Sequence, residues 1–86
     1  MSTDPIYEVY ETEGSEAHYV ADCFTHAERR ARWYAARHNR RYSIERVTPP
    51  AKWTRTARYQ RELVATVIRD ALGRIWTDVQ DTDGLI

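Results

Sequence analysis

Residues 62–79 read ELVATVIRDALGRIWTDV, and two structures compete for them. As a helix, Leu63, Val64, Val67, Ile68, Ala71 and Leu72 fall on one stripe, and Gly73 stands where a glycine would end it. As a hairpin, DALG (70–73) is a four-residue loop ending in glycine. That register pairs Ile68 with Ile75, Thr66 with Thr77 and Val64 with Val79. The density of Val, Thr and Ile favours the hairpin, because β-branched side chains are stiff in a helix and pack well on a pleated surface. The alternative is a second helix over 56–72 followed by a strand.

The upstream chain decides what this hairpin joins. IYEVYE (6–11) alternates, placing Tyr7 and Val9 on one face and Glu8 and Tyr10 on the other. EGSE (13–16) is a turn cluster in which Gly14 is free to take positive φ. AHYVADCF (17–24) reads as the returning strand. Thr25 and Glu28 form a T-x-x-E capping box opening a helix that runs to about Asn39. YSIERV (42–47) is a third strand, with Tyr42 and Ile44 facing one way, and Thr48-Pro49-Pro50 ends it because proline cannot donate to a ladder. The expected fold is therefore α+β. One domain over 1–86 carries an antiparallel sheet of three to five strands with one packed helix, in the order β-β-α-β followed by the hairpin. The tail, DTDGLI (81–86), is expected to fray.

Eighty-six residues make one domain near the lower limit of independent folding, so a bound partner or a homodimer would add stability that so small a core lacks. With 42% hydrophobic and 30% charged residues, the composition is that of a globular chain rather than a disordered one. No apolar run reaches the roughly 18 residues of a membrane span. The acidic N-terminus lacks the apolar region of a secretory signal, and Cys23 is the single cysteine, so a cytoplasmic protein is expected. Twelve arginines stand against Lys52 alone. This bias fits a GC-rich genome of the actinobacterial or phage type.

A formal net charge of zero conceals a division along the chain. Residues 1–23 carry Asp4, Glu8, Glu11, Glu13, Glu16 and Asp22 and no Arg or Lys, for −6. Residues 24–61 carry eleven Arg/Lys against Glu28 and Glu45, for +9. Residues 62–86 hold five acids against Arg69 and Arg74, for −3. A neutral total argues against general polyanion binding, while the +9 block leaves room for a local site.

That block begins in the helix. On a wheel of about 100° per residue, Ala27, Ala31, Tyr34, Ala35 and His38 share the sheet-facing side, where small residues let the helix approach closely. The outer arc holds Arg29, Arg30, Arg37, Arg40 and Arg41 with Trp33 and His26 among them, and Arg32 extends it on its other edge. Trp and Arg are the residue types enriched at binding hot spots. Hence the expected function is non-enzymatic docking on an acidic protein surface through Trp33, Arg29, Arg30, Arg37, Arg40 and Arg41, with Trp33 as the anchor. The alternative is a nucleic-acid-binding accessory protein using 29–61. There KWTRTARYQR (52–61) adds a second candidate group, Trp53, Arg55, Arg58 and Tyr59, of a composition that binds single strands. A chain with pI near 6.8 and no defensible nucleic-acid motif favours the protein partner. The +9 block could equally meet the acids of a second copy in a homodimer.

Other chemistry is weakly signalled. Cys23 and His26 give C-x-x-H, two ligands where zinc needs three or four, and Cys23 reads better as a small core residue and His38 as a histidine at the core's edge. VQDTDGLI (79–86) resembles part of a calcium loop but has valine where the first acid belongs. There is no Walker A, GxGxxG or GxSxG motif. No catalytic residue, metal or cofactor is expected.

Overall fold

The computed structural model describes residues 4–14 and 16–80. Its elements are β1 (Ile6–Glu11), β2 (Ala17–Ala21), α1 (Phe24–His38), β3 (Tyr42–Thr48), β4 (Gln60–Arg69) and β5 (Ile75–Val79). All pairings are antiparallel and the sheet order is β2-β1-β3-β4-β5, which makes β2 and β5 the edges. The fold is α+β, with α1 packed on one face of the sheet. Ser15 of the first turn and the tail at 81–86, with its calcium-like acids, lie outside the described residues.

Residues 62–79 form the hairpin and not a helix. Its register differs by one residue from the sequence expectation: Thr66 pairs with Asp78, Ile68 with Trp76 and Arg69 with Ile75. The cause lies in the turn. Gly73 N–H donates to the Asp70 carbonyl and Asp70 N–H to the Arg74 carbonyl, so 70 and 74 close a three-residue loop with Gly73 at φ 82°. A side chain there would strain the left-handed conformation, so the glycine sets the loop length. The Asp70 carboxylate accepts from the Leu72 and Arg74 amides and from Arg74 Nε, which draws Arg74 into the turn. Pattern alone could not see that Asp70 recruits the next residue.

A second irregularity decides what β4 buries. Ile44 pairs with Ala65 and Glu45 with Leu63, leaving Val64 as the extra residue of a β-bulge. Consecutive Val64 and Ala65 are consequently both fully buried, which strict alternation would forbid. On the same face Val9, Tyr42, Ile44 and Val67 meet Ala27, Ala31 and Ala35, all three at 0% exposure. Alanine at these positions brings the helix close to the strands. A larger side chain at Ala31 would overpack the contact at a cost of about 1–3 kcal/mol.

The helix start departs from the expected capping box. The N-cap is Cys23, whose carbonyl accepts the Ala27 amide and whose side chain makes no capping bond. Thr25 therefore lies inside the first turn and the returning strand stops at Ala21. Phe24 is drawn into the helix because its ring stacks on Tyr7, with centroids 6.1 Å apart. Cys23 is half-buried at this cap and does not belong to the core. At the other end Asn39 adopts φ 53° and returns its amide to the Ala35 carbonyl, while Arg69 Nη1 donates to the Ala36 carbonyl. A left-handed asparagine and a cation are both suited to a helix C-terminus. His38 is exposed, stacked on Tyr34, which in turn stacks on Tyr42.

Candidate docking surface on the helix

Packing the alanine stripe inward turns residues 26, 29, 30, 33 and 37 outward, toward the β2 side. Trp33 is 46% exposed. The Arg30 guanidinium lies 5.4 Å from its ring centroid and that of Arg37 4.9 Å, from one turn before and one turn after. Arg30 also stands 4.8 Å over the Tyr19 ring of β2. Such contacts contribute about 0.5–1 kcal/mol each when exposed and hold the long side chains in place. Tyr19, His26, Arg29, Arg30 and Trp33 together line a shallow groove of about 460 Å³ between the helix and the sheet edge. Tyr34 Oη fixes this flank by donating to the His18 carbonyl at 3.1 Å.

The remaining arginines of the basic block are dispersed. Arg32 crosses to β5, donating to the Ile75 carbonyl at 2.8 Å and to Thr77 Oγ1 at 3.1 Å. Arg40 and Arg41 follow the helix end and line a separate cleft with Glu11, Thr12 and Glu13. Arg40 pairs there with Glu11 at 2.5 Å, and that hydrogen bond strengthens its hold on its proton. The structure thus joins Trp33 with Arg29, Arg30 and Arg37, and sets Arg40 and Arg41 apart.

On the sheet face away from α1, Arg61 Nη1 donates to Glu8 at 2.8 Å, Tyr10 Oη at 2.7 Å and Glu45 at 3.3 Å, while Tyr10 donates to Glu8. Burial pushes the Glu8 carboxyl up, but the hydrogen bonds from Tyr10 and Arg61 and the Arg61 charge outweigh it and leave the pKa below the usual value. Burial first, then the Glu8 hydrogen bond, raises the Tyr10 phenol. The hydrogen bond to Glu8 raises Arg61. Sequence reasoning missed this network, although the i, i+2 spacing of Glu8 and Tyr10 on one strand face hints at half of it.

The second candidate group lies in the segment between β3 and β4. Trp53 and Tyr59 meet edge-on at 5.3 Å and both are about half exposed. Arg55 and Arg58 are exposed and have no acidic partner among the described residues. At the helix start, Asp22 joins Cys23 and His26 in a cluster whose ligand atoms lie within 4.8 Å of one another. Asp22 and His26 bond each other at 3.3 Å, and His26 shares its groove with Arg29 and Arg30, which repel a cation. Comparison with protein-family models, curated proteins and solved structures finds no match to this chain. Among the described residues no helix is long and apolar enough to cross a membrane.

Proposed function

We propose that this protein is a non-enzymatic binding module that docks on an acidic protein surface through the outer face of α1. Trp33 is the anchor, and Arg29, Arg30 and Arg37 supply the complementary charge. One observation carries this reading: these three arginines gather around a half-exposed Trp33 and have no acidic partner among the described residues, whereas Arg40, Arg46, Arg61 and Arg74 each have one. The guanidiniums of Arg30 and Arg37, held over a half-exposed indole, offer bidentate donors to carboxylates without further ordering, and Arg29 lines the same groove. The same arrangement disfavours base stacking on Trp33, since a base would have to displace a guanidinium from the ring. A nucleic-acid role for residues 29–61 draws its support instead from the Trp53–Tyr59 pair, whose ring faces carry no such cation among the described residues.

Acrylamide quenching of tryptophan fluorescence, with Trp33→Phe as the reference, separates these readings. Polyglutamate should shield Trp33, and Arg37→Glu combined with Trp33→Ala should abolish binding with the fold intact. Oligo-dT that protects Trp53, with binding that weakens steeply between about 50 and about 200 mM salt, would make nucleic acid the ligand. Indifference of Trp33 to both would remove the helix face from consideration. Light scattering over the same salt range detects the case in which a second copy supplies the acids.

A further inference from the structure

The two edges of the sheet are treated differently. Over β5, Arg32 occupies the Ile75 carbonyl and the Thr77 hydroxyl, and Asp78 places a charge within the strand. Charges and covered backbone keep an edge strand from pairing with other chains. β2 has no Asp, Glu, Lys or Arg within its five residues, AHYVA, and among the described residues a side chain covers its backbone only at His18. Its register irregularity falls at the Ala17 end, opposite Val9 and Tyr10, and Tyr34 takes the His18 carbonyl at that same end. The stretch Tyr19–Ala21 remains regular, and Arg30, Arg29 and His26 stand beside it. Asp22, the acid that follows, is bonded to His26.

We propose that β2 is a docking edge that accepts an extended acidic segment of a partner protein as a sixth strand. The inference rests on the reading of the helix face as a site for acidic protein, and deepens it by stating the form that partner takes. Side chains of an added strand alternate between the two faces. Those on the Tyr19 side meet Arg29, Arg30 and His26 and should be Asp or Glu. Those on the other side lie beside Val20, which is 52% exposed, and should be apolar. The partner is thus a strand of alternating acidic and apolar residues, in which backbone bonds give affinity and the alternate side chains give selectivity. The β5 edge also exposes an apolar side chain, Trp76, but its Ile75 carbonyl is already held by Arg32 and Asp78 lies within the strand.

The test uses a labelled peptide of alternating Glu and Val, a block peptide of the same composition, the alternating peptide N-methylated at every second residue in either register, and an acidic helical peptide. Anisotropy titrations against wild type and Arg29→Glu/Arg30→Glu are read beside amide hydrogen exchange. The alternating peptide should bind at least tenfold more tightly than the block peptide, one N-methylated register should lose binding, and β2 amides should gain protection. Equal binding of both N-methylated forms, protection at β5 instead, or Arg30-dependent binding of the helical peptide alone would overturn the sixth strand and leave the acidic-surface reading standing. Binding unchanged in Arg29→Glu/Arg30→Glu, or no binding by any peptide, would overturn both.

Discussion

Arg30 and Arg61 come from one basic block of the chain and end in opposite surroundings. Arg61, on the sheet face away from the helix, is ringed by Glu8, Glu45 and the Tyr10 hydroxyl. Arg30, on the outer face of α1, touches two aromatic rings and no carboxylate among the described residues. Glu8 and Glu45 stand directly opposite each other across β1 and β3, a like-charged pair that Arg61 neutralises. The acids of the N-terminal strand are consumed by arginines distant in sequence, and the helix face is left with charge to spare. An arginine-rich surface is therefore not a surface of unpaired arginines; pairing across the sheet decides which exposed cations stay available.

Charge reversal gives the widest separation between the two regions. Arg61→Glu should gather three acids on one sheet face and destabilise the fold by about 2 kcal/mol, discounted for the exposure of the guanidinium. In thermal melting this should appear as a midpoint lower by roughly 10 °C. Arg30→Glu and Arg37→Glu should cost no more than the cation–π contacts they give up, about 0.5–1 kcal/mol each, and so less than Arg61→Glu, while losing the ligand. Equal destabilisation at Arg30 and Arg61 would break the comparison.

Acid titration sharpens it at one carboxylate. Because the folded Glu8 pKa is depressed, its contribution to stability is complete above the ordinary carboxylate value and is lost as pH falls through the lower folded value. In Arg61→Ala that depression should largely vanish, so stability should fall less steeply between about pH 5 and about pH 3. A chemical-shift titration of the Glu8 side chain should show its pKa rising in this variant. Arg37→Ala should leave both curves where they are.

Arg40 is the intermediate case, an exposed helix-flanking arginine that does have an acid, Glu11. Arg40→Ala should lower the melting midpoint less than Arg61→Ala does and leave ligand affinity at the Trp33 groove unchanged. Loss of affinity would mean that the docking surface extends past Asn39 to the helix end. The smallest effect is expected at the cap. Cys23→Ser should stabilise the helix by up to about 1 kcal/mol, because a hydroxyl there can accept a first-turn amide, while Thr25→Ala should change almost nothing.

Period and turn chemistry made much of the fold legible. Alternation in 6–11 and 42–47 put Val9 with Tyr7 and Ile44 with Tyr42 on common faces, of which Val9, Tyr42 and Ile44 are buried, and the 3.6-residue spacing of Ala27, Ala31 and Ala35 identified the sheet-facing stripe. The Arg/Trp arc followed from the same wheel, because a helix with one small-residue face must expose the other. These are local properties, set by backbone geometry within a few residues. Three features are not local. The Val64 bulge and the one-residue shift of the last hairpin arise from how β4 satisfies two neighbours and from what the Asp70 carboxylate captures. The helix begins at Phe24, not after Thr25, because Tyr7 supplies a ring for it to stack on. And, Arg74 with its Asp70 four residues away excepted, whether an arginine meets an acid depends on strands brought side by side from distant parts of the chain, so charge composition was readable in the sequence while charge availability was decided by the tertiary structure.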